Sequence, residues 1–314
     1  MKFLLSWIKE FAPVQESGRV VAQALINAGL EVESVDTVGE GIDGTLVIGR
    51  VLEIEELTEF KKPIRWCQVD IGTQIRGIVC GASNFSVGEH VVVAEPGVTL
   101  PGDFTITSRE TYGHVSDGMI CSERELGLGP DHAGIMVLSD VEPGQDANEL
   151  LGIGDQVLDI AITPDRGYAL SVRGIAREVA TAFGADLRDP ASHFEPELGA
   201  PNTGTTPRDC VIEDFSACEL LTLRTINGFN PDALTPRYMV GRLQAAGMRS
   251  ISLAVDVTNY VMLELGQPTH AFDLDKLEGA VRVRRAESGE KLETLDHVER
   301  ILSPRDTVIA DSRG

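Results

Sequence analysis

The side chains whose type and spacing suggest chemistry are mostly basic. Arg282 and Arg284 alternate along Val281–Arg285, so a strand there places both guanidinium groups on one face, where they could meet a nucleic-acid phosphate or pair with carboxylates. Lys61 and Lys62 stand side by side in the 57–64 loop and are further candidates for binding RNA. Arg237, Arg242 and Arg249 pose the same choice between phosphate and carboxylate. Thr258 offers a hydroxyl, Asn259 an amide that both donates and accepts, and His270 two ring nitrogens. Taken alone, Thr258 and Asn259 read as the end of a strand and His270 as a brace for the turn after Pro268. Asp165 follows Pro164 at a helix entry, where an acid suits the helix dipole. The five cysteines (Cys67, Cys80, Cys121, Cys210, Cys218) are odd in number and contain no C-x-x-C pair, and His114 and His132 lack ligand-like spacing. No metal site or disulfide framework is expected, and a reducing cytoplasm fits. Trp7 and Trp66 read as core anchors rather than base-stacking platforms.

Four stretches must position these groups. In residues 1–38, Val20, Val21, Ala24, Leu25 and Ala28 recur at helical spacing after Ser17-Gly18, and Gly29 closes the helix. Residues 39–150 carry short strand-like runs at 45–54, 66–71, 75–80, 90–94 and 135–138, with a helical turn at 122–126, a pattern that suits a small barrel. Residues 151–190 hold a helix with the stripe Val172, Ile175, Ala176, Val179 and Phe183, closed by Gly184. That piece is too short to fold alone, so pairing it with residues 1–38 predicts a small split helical domain with the barrel inserted. Residues 191–208 are Pro- and Gly-rich and read as a linker. In 209–314, Pro236 starts a helix with Met239, Val240, Leu243 and Ala246 buried, and 251–257, 281–285 and 307–310 read as strands. The chain stops directly after the last of these, which predicts a truncated domain. The expected fold class is therefore α+β and multidomain.

Length and charge narrow the classes. A chain of 314 residues with 42% hydrophobic and 24% charged residues suits two or three packed domains. No run is long and apolar enough to span a membrane, and the start of the chain does not read as a signal peptide. The net charge of −22 argues against indiscriminate nucleic-acid binding. Residues 39–150 hold 7 basic and 19 acidic side chains, a balance of −12, whereas 201–314 hold 13 and 17, only −4. An RNA contact is thus expected in the later segment.

Three motifs in order carry a resemblance. The first is Ile78-Val79-Cys80-Gly81-Ala82-Ser83-Asn84, then Glu95-Pro96-Gly97-Val98-Thr99-Leu100-Pro101-Gly102 and Ser116-Asp117-Gly118-Met119-Ile120-Cys121-Ser122-Glu123. The second is Thr163-Pro164-Asp165-Arg166 with Ser171-Val172-Arg173-Gly174-Ile175. The third is Val257-Thr258-Asn259-Tyr260-Val261-Met262-Leu263-Glu264-Leu265-Gly266-Gln267-Pro268-Thr269-His270-Ala271-Phe272-Asp273. Together they resemble the β subunit of bacterial phenylalanyl-tRNA synthetases. The resemblance implies an oligonucleotide-binding (OB) barrel of the tRNA-binding type at 39–150 and the N-terminal part of an α/β editing domain at 209–314. It implies a much longer subunit, an α-subunit partner in an (αβ)₂ tetramer, tRNA(Phe) as substrate, and ATP with Mg²⁺ used by the full complex but held by no residue assigned here. No residue for aminoacylation falls in this chain. Thr258, Asn259 and His270 match editing-site positions, where hydrolysis of mischarged Tyr-tRNA(Phe) would occur. Editing is needed because an apolar phenylalanine pocket rejects an added hydroxyl poorly. The alternative is a non-enzymatic tRNA-binding or assembly module built on the same barrel. A free-standing deacylase is a further rival.

Overall fold

The computed structural model describes residues 1–60, 64–129, 134–193, 208–294 and 297–313. Packing divides the chain into two units, Met1–Pro190 with Ala233–Thr269, and Ala191–Asp232 with His270–Gly314.

In the first unit the strands Lys2–Leu4 and Glu31–Thr37 flank Gln156–Ala161, all antiparallel, with Lys2 opposite Asp159 and Glu31 opposite Ala161. The chain thus leaves this sheet after residue 37 and returns at 156 to fill its centre. Trp7, Ile8 and Phe11 of helix Leu5–Phe11 share a core with Val21 and Leu25 of helix Gly18–Asn27 and with Val172, Ile175, Ala176 and Val179 of helix Val172–Phe183. Local chemistry sets the ends of the last helix. The Ser171 hydroxyl accepts from Gly174 N at 3.0 Å, and Gly184 takes the left-handed conformation at φ 63°. Gly174 is required, since a Cβ there would lie 1.9 Å from the Tyr168 carbonyl oxygen. Ser17 caps nothing with its side chain; Gln156 Oε1 instead accepts from Gly18 N at 2.6 Å.

Between these halves lies a six-stranded antiparallel sheet. Its path runs Met119–Ile120, His90–Ala94, Leu46–Glu56, Arg65–Asp70, Ile75–Cys80, with Val137–Leu138 also paired to His90–Ala94. The free edge of Ile75–Cys80 turns back on the segment entering Met119–Ile120: Asp117 N donates to Gly77 O at 2.8 Å and Val79 N to Ser116 Oγ at 3.0 Å. The sheet is therefore nearly closed, which removes an exposed edge. Leu46, Ile48, Val92, Ala94, Cys121 and Leu126 fill one core, and Val51, Cys67, Val69, Ile78, Val91 and Val93 fill another. Gly49 permits the close approach of neighbouring strands; a Cβ there would lie 2.5 Å from Val69 Cγ1. The expected turn at 122–126 is stabilised reciprocally, Ser122 N donating to Glu125 Oε2 at 2.7 Å and Glu125 N to Ser122 Oγ at 3.3 Å.

Two helices complete this unit. Arg237–Ala245 follows Pro236 and buries Met239 and Leu243, as the stripe predicts. Leu253–Leu265 is a correction: the sequence reading has a strand at 251–257. The β-branched Val255, Val257 and Val261 favour a strand locally. However, Ser252 holds the extended N-cap conformation, Gly266 the left-handed C-cap at φ 79°, and Leu263 enters the unit's core with Tyr260 and Leu265 against it. Packing overrides the weaker local preference. The sequence reading groups these helices with 209–314; their apolar faces lie in the core that the N-terminal helices build.

In the second unit Cys210–Ile212 pairs parallel to Val281–Arg285, which pairs antiparallel to Thr307–Ala310, and Lys291–Glu293 forms a hairpin with Glu299–Ile301. Arg208 fastens the entry to this sheet by donating to the carbonyls of Gly279, Leu274 and Leu277 at 3.0, 3.2 and 2.9 Å.

Candidate functional site

Thr258 and Asn259 lie in the middle of helix Leu253–Leu265, so they do not end a strand. The start of that helix is held by Asp256, which is 0% exposed and accepts from Thr235 Oγ1 at 2.5 Å, Ser250 Oγ at 2.6 Å and Ile251 N at 2.9 Å. Burial raises the Asp256 carboxyl, but these donors outweigh it and hold the group ionised below the usual carboxylate range. Three segments (235, 250–251 and the helix itself) thus share one anion.

The middle of the helix is held by Arg242. Its guanidinium lies 4.9 Å from the Trp7 ring centre and 5.9 Å from those of Tyr238 and Tyr260, donates to Tyr260 Oη at 2.5 Å, and pairs with Glu10. Trp7 stacks at 4.7 Å on Tyr260 and donates from Nε1 to Glu264 Oε1 at 3.3 Å. Burial pushes the Tyr260 phenol up to about 12, so its hydroxyl stays protonated. Because successive helical residues are about 100° apart, fixing Tyr260 also fixes the directions of Thr258 and Asn259. The sequence reading leaves Arg242 a choice between phosphate and carboxylate, which the structure answers with Glu10, and it gives no signal for Asp256 or for the aromatic rings around Arg242. Tyr260 and Glu264, four residues apart, share a face only once the segment is recognised as helical.

The Thr258 hydroxyl donates to Val255 O at 2.7 Å, and the Thr258 carbonyl receives Thr269 Oγ1 at 3.4 Å. Asn259 is half-buried, and among the described residues its amide has no hydrogen-bond partner. His270 belongs to the second unit, is exposed, and meets Phe272 edge-on at 4.5 Å with both ring nitrogens unengaged by described residues. An amide and an imidazole are therefore left available to a ligand.

The basic candidates fare differently. Lys61 and Lys62 lie outside the described residues. Arg282 pairs with Glu213 at 2.7 Å, Arg284 grips both oxygens of Glu290 at 2.8 and 3.0 Å, and Arg285 pairs with Asp214 at 2.5 Å. Hydrogen bonds from Arg284 push Glu290 down to about 2. Cys67, Cys80 and Cys121 are buried, and burial raises all three thiols, Cys67 to about 12, so none is a ready nucleophile. Trp7 is a core anchor at 1% exposure. Trp66 instead lies half-exposed beside His114, ring centres 4.6 Å apart, with its indole face over Gly77. Asp165 opens a 3₁₀ turn, and the Thr163 hydroxyl holds its carboxyl below the usual range.

Comparison with known proteins adds to this geometry. A putative tRNA binding domain matches residues 46–146, and a B3/4 domain matches 217–314, a range that includes Thr258, Asn259 and His270. Phenylalanine--tRNA ligase beta subunits from Thermobifida fusca, Streptomyces avermitilis and Nocardia farcinica are 53%, 54% and 53% identical, each match covering 100% of this chain. This chain spans 38% of the length of those relatives. A CsaA chaperone protein from Picrophilus torridus matches 32% of this chain and 89% of its own at 12% identity, with a TM-score of 0.24 that is too low to carry an argument.

Proposed function

We infer that a chain similar along its whole length to phenylalanine--tRNA ligase beta subunits serves in that ligase, as part of a longer subunit that supports ATP-dependent attachment of phenylalanine to tRNA(Phe) by an α subunit. The observation that carries this is the identity of 53% across the entire chain, through barrel and B3/4 segment alike. The near-closed sheet at 46–138 is the OB-type barrel of this reading, inserted between residues 1–38 and 151–190 of the first unit, where the helices at 237–245 and 253–265 also pack, and the B3/4 segment 217–314 belongs to the editing domain. The assembly is an (αβ)₂ tetramer in the cytoplasm. In this reading ATP and Mg²⁺ serve the complete complex, and no residue of this chain is assigned to them.

Within this reading, Thr258, Asn259 and His270 contribute to hydrolysis of mischarged Tyr-tRNA(Phe). Water attacks the ester carbonyl, the bond to the terminal ribose breaks, and that ribose oxygen leaves with a proton. Asn259, whose amide has no partner among the described residues, and His270 are the candidates for binding the aminoacyl-adenosine end and orienting the water. Their availability supports the reading, since groups already satisfied by protein would have to give up those bonds. In the complete ligase, His270→Ala and Asn259→Ala are expected to slow Tyr-tRNA(Phe) hydrolysis by about 10²-fold while leaving phenylalanine-dependent ATP–pyrophosphate exchange unchanged. Unaltered hydrolysis in both variants sinks the editing assignment. Loss of exchange activity on pairing the complete subunit with its α partner sinks the ligase reading itself. Residues 1–314 alone are expected to show no deacylation.

A further inference from the structure

Arg237 is the first residue of helix Arg237–Ala245 and is partly buried, with its Nε closed to solvent and no hydrogen-bond partner. No ion pair is formed by its guanidinium among the described residues. Burial depresses its basicity, opposed only by the more distant Glu123 carboxylate. A desolvated charge without a partner is costly, so such groups normally have one. Arg237 lines a cavity of about 170 Å³ inside the first unit, between its own helix, the Lys2–Leu4 and Glu31–Thr37 strands, and the 127–128 loop of the barrel. Lys2, also on the lining, is exposed and has no partner among the described residues. Neither nearby acid pairs with Arg237: Asp36 accepts from Ser34 Oγ at 2.9 Å, and Glu123 from Gln244 Nε2 at 3.1 Å.

We propose that this cavity is a binding site for a small oxyanion, a phosphate or carboxylate group held by the Arg237 fork with Lys2 at its mouth. The guanidinium geometry suits two oxygens of one such group. A cavity of about 170 Å³ has room for one such group. The site stands apart from Thr258, Asn259 and His270 and does not depend on the editing reading.

Titration calorimetry with inorganic phosphate and, separately, acetate tests this against sodium chloride at matched ionic strength. Saturable binding of phosphate, acetate or both is expected, the stronger of the two identifying the ligand. Arg237→Met is expected to weaken it by about tenfold or more. Without added anion, the same variant should melt no lower than the wild type, because it removes an unpaired charge. Gly241→Leu is the second variant. Gly241 lines the cavity with open space at its Cβ position, so the new side chain should block binding while Arg237 remains. An absence of saturable binding, a chloride response equal to that of phosphate and acetate, or affinity unchanged in both variants overturns the site.

Discussion

In the barrel, Ile48, Val92, Cys121 and Leu126 are shut from solvent on one face and Cys67, Ile78 and Val91 on the other. The second unit's sheet buries Val281, Val283, Ala286 and Ala310, while Phe215, Leu220 and Ile301 stay 67%, 76% and 73% exposed. Its cohesion leans instead on ion pairs, Arg282–Glu213, Arg284–Glu290 and Arg285–Asp214, and on the Arg208 clamp. Burial of apolar surface is insensitive to pH, whereas carboxylate pairing is not. The two regions should therefore fail under different conditions.

The sharpest contrast is truncation of apolar side chains. Ile48→Ala, made where the side chain is fully enclosed, should cost about 2–5 kcal/mol by denaturant titration. Arg242→Met removes a charge-assisted pair and three ring contacts, and should cost about 1–3 kcal/mol. A double-mutant cycle with Tyr260→Phe should then be non-additive; strict additivity would mean that Arg242 does not hold the helix carrying Thr258 and Asn259. In the second unit, Glu290→Gln probes the ionic component. The Glu290 pKa is depressed, so its contribution is complete above about pH 4.5 and disappears as pH falls toward about 2. Melting curves of wild type and variant should differ near neutrality and converge at the acid end; a gap that stays constant with pH removes the ionic explanation. Smallest of all, Ile301→Ala should change stability by less than about 0.5 kcal/mol. A loss comparable to that of Ile48→Ala would show that the second unit has an apolar core after all.

The barrel strands were legible because short apolar runs bounded by Gly, Pro, Asn or Asp are a local property; 75–80 and 90–94 were placed residue for residue. The helix Val172–Phe183 was legible for the same reason, its stripe and both caps lying within one stretch. Leu253–Leu265 was not, because its β-branched residues favour a strand and its helical state is secured by partners distant in sequence, Trp7 and Glu10 among them. Arg282 and Arg284 did fall on one strand face, but nothing near them in sequence announced that Glu213 would neutralise the first.

By itself the sequence determined the near-closed sheet, the helix stripe and the order of motifs that marks the relatives, since each depends on residues close together along the chain. Only tertiary structure decided that residue 156 returns to the middle of a sheet begun at residue 2, that Arg242 reaches Glu10, and that Arg237 lines a cavity with no partner among the described residues. Such outcomes depend on which distant surfaces bury one another, a quantity that no local window of sequence contains.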